Sequence, residues 1–182
     1  MPKIVEKRRL TPITALYRVD APLIAGSAKA GQFVILRVRE GGERIPITIT
    51  DYDRDNGLVT IVVQEVGATT RRLGELGEGD EILDMVGPLG EAPDIPSGGH
   101  IVGVGGGFGS AALLCLMKEL RERGEKTTVI IGARDQKDHR DVQQIAQPSG
   151  GDQEELSHDQ DRAQAGDGDD HRAEELADGV EA

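Results

Sequence analysis

The densest run of chemically suggestive residues is 100–112, HIVGVGGGFGSAA. Within it Gly107-Phe108-Gly109-Ser110-Ala111-Ala112 has the spacing G-x-G-x-x-A, between an apolar run and a helical one. Glycines at such a turn let the backbone approach a pyrophosphate, and the N-terminus of the following helix favours its negative charge. No Gly-Lys-Ser/Thr follows, which excludes a Walker A loop. The competing reading is a glycine turn that only lets helix and strand pack closely. The acidic residue that would hold a ribose after the next strand is missing. Gly132-Ala133-Arg134 stands there, and Arg134 either meets a phosphate or is a solvated strand end.

Two further groups point to an anionic ligand. Arg44-Ile45-Pro46-Ile47-Thr48 follows the Gly41-Gly42 turn and sets a guanidinium beside a Pro-fixed strand and a hydroxyl. That combination suits a phosphate contact plus a hydrogen bond to a ring edge, or else an ordinary strand with a surface arginine. Gly67-Ala68-Thr69-Thr70 opens a helix and is either a second anion site or an N-cap and nothing more. No nucleophile is paired with a base. Cys115 lies among Leu113, Leu116 and Met117 and reads as a buried, inert thiol. His100 ends a linker, and His139, His158 and His171 lack metal-ligand spacing. Any enzymatic chemistry would therefore be a cofactor's.

These groups need a scaffold, and residues 3–90 supply strands. Residues 13–20 (ITALYRVD), 32–39 (QFVILRVR), 45–50 (IPITIT), 58–65 (LVTIVVQE) and 81–86 are short runs bounded by turn residues, with Asn56-Gly57 marking a hairpin. Regular short strands suggest a closed antiparallel barrel, which leaves no free edge. One helix is expected here, over 69–76. Residues 92–99 (APDIPSGG) read as a linker. A strand at 100–104, a helix over 110–123 stopped by Gly124 and a strand at 127–131 then form a β–glycine turn–α–β unit, the opening of a doubly wound nucleotide-binding domain. Leu113, Leu116, Met117 and Leu120 share one face of that helix.

The chain has 182 residues, room for one ordinary domain or two small ones. A single Cys excludes a disulfide framework, a four-cysteine zinc site and an all-cysteine iron–sulfur cluster supplied by this chain. Of 33 acidic and 21 basic residues, positions 135–182 hold 15 and 4, so the net charge of −12 belongs almost wholly to that tail. Positions 1–134 are nearly neutral without a basic stripe, which argues against nucleic acid as a partner. The start MPKIVEKRRL is charged from its third residue, and residues 101–117 are too short and glycine-rich to cross a bilayer comfortably. The expectation is a soluble cytoplasmic protein with no membrane partner. The tail has no aromatic residue and few large aliphatics, a composition expected to be disordered.

Six segments, GQFVILRV, GERIPITI, IVVQEVGATT, GDEILDMVGPLG, VGGGFGSAALLCLMKEL and VIIGAR, occur in that order. Together they resemble the ferredoxin–NADP reductase superfamily, in the branch of the dihydroorotate dehydrogenase electron-transfer subunit, sulfide dehydrogenase and NADH-dependent ferredoxin:NADP oxidoreductase. The resemblance covers residues 3–134. It implies a six-stranded antiparallel Greek-key barrel that binds FAD at 1–98, followed by an α/β doubly wound NAD(P)-binding domain of which 99–134 is only a part; the tail at 135–182 falls outside the resemblance. Hydride would pass from NAD(P)H to FAD, and electrons onward to a larger partner subunit or an iron–sulfur acceptor in a hetero-oligomer. By the same resemblance Pro46, Ile47 and Thr48 line the isoalloxazine and Arg44 contacts the FAD phosphates. Val63 and Gln64 flank the cofactor, and Gly67, Thr69 and Thr70 cradle its pyrophosphate. Gly105, Gly106, Gly107 and Gly109 face the nicotinamide nucleotide, and Arg134 its adenosine side.

The departures are informative. No Tyr stands between Arg44 and Thr48 to stack on the flavin, as in plant-type reductases, and Ala112 replaces the Pro that usually follows the glycine turn. The family continues after GAR and ends in a cysteine cluster for a [2Fe-2S] centre, whose cysteines are absent here. The abrupt switch near residue 135 fits either a reading-frame change or a natural truncation with an acidic tail. The expected outcome is a chain that retains FAD and oxidises NAD(P)H poorly or not at all. The alternative is a non-catalytic binding or assembly module, or a degenerate fragment.

Overall fold

The computed structural model describes residues 1–132, which fall in one compact unit. The expectations for Arg134 and for the 135–182 tail lie outside the described residues. Among those residues no helix is long and apolar enough to cross a membrane.

Six strands come first: β1 (Lys3–Thr11), β2 (Thr14–Asp20), β3 (Phe33–Arg37), β4 (Ile45–Asp53), β5 (Leu58–Gln64) and β6 (Asp84–Leu89). They form one antiparallel sheet in the order β1-β2-β5-β4-β3-β6. Hairpins join β3, β4 and β5, and β6 returns beside β3 after a long connection, which is Greek-key topology. Ile4, Tyr17, Val34, Leu36, Ile49, Val59, Ile61 and Val63 form its buried core. β1 carries five charged residues, so alternation alone does not mark it as a strand; as an edge strand it pairs with β2 only.

The closed barrel expected from the strand pattern is not what forms. β1 and β6 do not pair. The first strand meets the segment before β6 through one isolated bridge, Lys3 to Glu81, and through backbone bonds from Ile4 N to Asp80 O, Gly79 N to Ile4 O and Ile82 N to Pro2 O. Residues 81–83 therefore serve as a point of contact, and the last strand starts at Asp84 and not at Glu81.

Two smaller departures are local. The β4–β5 hairpin turns over residues 54–57, with Asp53 accepting from Asn56 N (3.0 Å) and Asn56 Nδ2 (2.7 Å), so it is longer than a two-residue turn. Gly57 has φ +69°, and a Cβ there would lie 2.9 Å from Pro22. Pro22 opens α1 (Pro22–Ala25), a single turn that hydrophobic periodicity is too coarse to reveal. α2 (Ala68–Glu75) occupies the long β5–β6 connection.

The β–α–β unit is β7 (His100–Gly106), a short 3-10 turn (Gly107–Gly109), α3 (Ser110–Glu122) and β8 (Lys126–Gly132), with β7 and β8 parallel. α3 packs on β7 where glycine permits: a Cβ on Gly103 would sit 2.8 Å from Met117 Sδ and 2.9 Å from Leu113 Cδ1. Its fully buried residues are Ser110, Ala111, Cys115, Met117 and Leu120, while Leu113 and Leu116 are only half-buried. The helix packs on the six-stranded sheet as well as on β7, which rotates the buried face away from the single stripe that 3.6-residue periodicity predicts.

Candidate functional site

β4 changes partners along its length. Ile45–Thr48 pair with β3, and from Ile49 onward the strand pairs with β5. On β5, Val62, Val63 and Gln64 pair with β2 alone. The β4–β5 ladder thus ends at Ile49–Ile61, and beyond it the two strands part.

The strand pleat sorts the residues at this parting. Pro46 and Thr48 are exposed, while Ile45 and Ile47 turn inward and pack against the core. Register extends the outward face: Pro46 lies opposite Ile35 and Thr48 opposite Phe33. Val63 is 1% exposed and belongs to the core, whereas Gln64 is half-buried at the strand end. Of the residues expected to line a ring, Pro46, Thr48 and Gln64 therefore offer side chains. Ile47 and Val63 support the site from below.

The start of α2 is tied to the start of β4. Gly67 N donates to Thr70 Oγ1 (2.9 Å), and that hydroxyl donates to Gly67 O (3.1 Å). Thr69 Oγ1 donates to Glu43 Oε2 (3.3 Å), the residue before Arg44. Arg44 itself is 58% exposed, and among the described residues its one ion pair is with Asp84, Nη2 lying 3.7 Å from Oδ2. That oxygen is already bound by Arg37 Nε at 2.8 Å. Asp84 is thus shared by two arginines, and Arg44 is the loosely held one, with a guanidinium free to meet an anion.

The glycine turn divides in two. The space over Gly105 is filled, since a Cβ there would lie 2.9 Å from Leu113 Cδ2 and 3.1 Å from Ser110 Oγ. Close packing of helix and strand accounts for that glycine. Among the described residues, a Cβ on Gly107 or Gly109 would meet nothing within 4 Å, and one on Gly106 would meet only Gly132 O at 3.9 Å. Gly107 adopts φ +51°, a conformation that favours glycine. The open part of the turn is thus Gly106, Gly107 and Gly109, directly before α3.

No family model matches the chain. It is 42% identical over 132 residues to the dihydroorotate dehydrogenase B (NAD(+)) electron transfer subunit homolog of Thermotoga maritima, covering 72% of this chain and 47% of that protein. It is 38% identical over 135 residues to the dihydroorotate dehydrogenase B (NAD(+)) electron transfer subunit of Fusobacterium nucleatum, covering 71% and 52%. A solved structure of the NADH-dependent reduced ferredoxin-NADP oxidoreductase superposes with a TM-score of 0.72 at 40% identity, over 75% of this chain and 50% of that one. The chain belongs to the ferredoxin–NADP reductase superfamily. It spans about half the length of the curated relatives it matches.

Within this reductase-like chain the remaining reactive groups are quiet. Cys115 is buried, and burial, with Asp51 adding to it, pushes its thiol up to about 12. Among the described residues no group of three or more His, Cys, Asp or Glu could hold a metal ion. Three residues at or near the site were not singled out in the sequence: Asp84, Tyr52 and Glu119. Asp84 stands within GDEILDMVGPLG but carries no local pattern, and Tyr52 and Glu119 meet only through the tertiary fold, 67 residues apart.

Proposed function

We propose that this chain binds FAD on the outward face of β4 and acts as the flavin-carrying part of an electron-transfer subunit. The observation that carries the reading is the loosely paired Arg44 beside an α2 start held in place by Thr69–Glu43, next to the parted end of β4 and β5. These residues fit the cofactor. Arg44 and the N–H groups of the first turn of α2, whose start Gly67 and Thr70 fix, would take the diphosphate. Pro46 would offer a flat apolar contact to the ring, and Thr48 and Gln64 would hydrogen-bond its polar edge. When bound, the flavin supplies transfer of a hydride in and single electrons out. The chain's residues bind it and orient it, and Ile47 and Val63 keep the strands beneath rigid.

The open turn at Gly106, Gly107 and Gly109 is the proposed seat of NAD(P)H, with the N-terminus of α3 facing its phosphates. The proposed partner is a larger oxidoreductase subunit, because the relatives are named as electron-transfer subunits. A [2Fe-2S] centre does not fit here, since the one cysteine is buried in α3. The exposed Val102, Val104 and Ile130, on the side of β7–β8 away from α3, favour a second reading, a module whose role is docking alone.

The deciding experiment is the absorption spectrum of the gently purified chain, before and after anaerobic NADH. A flavin spectrum is expected, and its absence would overturn the reading in favour of the docking module. Bleaching by NADH would support the nicotinamide seat as well as the flavin site. Flavin without bleaching would leave the FAD site standing alone.

A further inference from the structure

The flavin reading makes no use of the seam between α3 and the six-stranded sheet. Glu119 Oε2 accepts from Tyr52 Oη and from Ala30 N, both at 2.9 Å. Tyr52 lies near the end of β4 and Ala30 in the loop before β3, so one carboxylate ties the helix to two separate segments of the sheet. Ala30 is 1% exposed, and its N–H would be left unsatisfied without that acceptor. The neighbouring Lys118–Asp51 pair, 2.9 Å long, is half-exposed and contributes little. At the other end of the helix Ala111 packs with Leu10, Leu16 and Val62, beside Val63 and Gln64 where β4 and β5 part. The helix rise from Ser110 to Glu119 is about 14 Å. A rod fixed at Glu119 therefore governs where the Gly107–Gly109 turn sits against that parting.

We propose that Glu119 is a positioning residue, whose carboxylate locks α3 to the sheet and thereby holds the Gly107–Gly109 turn over the flavin edge. The inference rests on the flavin reading. Its consequence is that the lock controls how open the isoalloxazine is to small molecules, independently of how tightly FAD binds.

The test is iodide quenching of flavin fluorescence in the purified, flavin-loaded chain, alongside FAD affinity and amide exchange at Ala30. In Glu119→Ala, Ala30 exchange should quicken about tenfold or more, the loss expected for a charge-assisted bond. The quenching constant should rise, while FAD affinity stays within about twofold because the lock is remote from Arg44 and Thr48. Glu119→Gln keeps an acceptor oxygen and should restore both readouts towards the parent. If Glu119→Ala fails to fold, Tyr52→Phe, which removes one of the two donors, should show the same changes in smaller measure. Quenching unchanged in Glu119→Ala or Tyr52→Phe, or no rescue by Glu119→Gln, overturns the positioning role alone. A parent chain that binds no flavin overturns the functional reading and this role with it.

Discussion

In the six-stranded sheet Ile4, Leu36, Ile49 and Ile61 lose all contact with water; in the two-stranded sheet Val102, Val104 and Ile130 remain at least half exposed. The first sheet turns its aliphatic rows onto one shared core, whereas among the described residues β7 and β8 are covered on the α3 side only. The ligand groups differ in kind as well. On β4 the proposed ligand groups are side chains standing on a buried floor, and at the glycine turn they are backbone atoms left open by missing Cβ atoms. The first kind of site can be damaged by deleting a side chain and the second by adding one.

The largest expected effect tests the floor. Ile61→Ala should lower stability by about 2–5 kcal/mol, while Ile130→Ala should stay within about 0.5 kcal/mol, both read by urea unfolding. An Ile130→Ala cost equal to that of Ile61→Ala would mean that the outer face of β7–β8 is covered in solution, and the contrast would collapse.

Next in size is the side-chain site itself. Arg44→Ala should weaken FAD binding by about 1.5–3 kcal/mol, the range for a hydrogen bond to a charged group. Riboflavin, which lacks the phosphates, should bind the two proteins alike, and the unfolding midpoint should not move because Arg44 is mostly exposed. Equal losses for both ligands would place Arg44 against the ring and not the diphosphate.

The glycine turn should respond in the opposite sense. Gly105→Val drives carbons into Leu113 and Ser110 and should cost about 1–3 kcal/mol of stability. Gly109→Ala, with open space around it and φ −63°, should leave stability within about 0.5 kcal/mol. If the turn seats a nucleotide, Gly109→Ala should nonetheless weaken NADH binding, measured by titration calorimetry. An effect of Gly109→Ala on stability alone would assign that glycine to packing, as for Gly105.

Much of this was legible in the chain. The strand at 45–50 announces itself by alternation and the helix over 110–123 by 3.6-residue spacing, while those at 13–20 and 58–65, buried on both faces, stand out as short apolar runs between turn residues. β1 does not, since five of its nine residues are charged, and some of these, such as Lys7 with its Nζ on Gly74 O and Leu76 O, are held by tertiary contacts that no local pattern shows. Closure was overestimated because short regular strands fit a sheet that meets itself at one bridge as well as one that pairs fully. At the site, Arg44, Pro46 and Thr48 could be placed on one face from their spacing of two. The inward turn of Ile47 and Val63 needed the pleat and register. Asp84's double pairing and the Glu119 lock depend on side chains meeting across distant segments, which local pattern cannot encode.

The smallest effect is confined to alkaline pH and separates the sheet from α3 once more. Burial, and then the nearby Glu65, pushes the Tyr17 hydroxyl up to about 12; burial, and then the hydrogen bond to Glu119, does the same for Tyr52. Cys115 is also pushed up to about 12, from a thiol value of 9.0. Each group holds its proton more tightly folded than unfolded. The stability this contributes is therefore complete below the unfolded values and is lost as pH rises towards 12. Urea unfolding should be insensitive to these groups near neutrality, with the loss from Cys115 beginning near pH 9 and that from the tyrosines near pH 10. Cys115→Ala should remove the earlier part of the slope and Tyr52→Phe some of the later part. At pH 8 an aromatic disulfide reagent should label Cys115 only as fast as the chain opens. Prompt labelling without denaturant would show that α3 leaves its seam more readily than the Glu119 contacts imply, and the two regions would then differ in dynamics as well as in coverage.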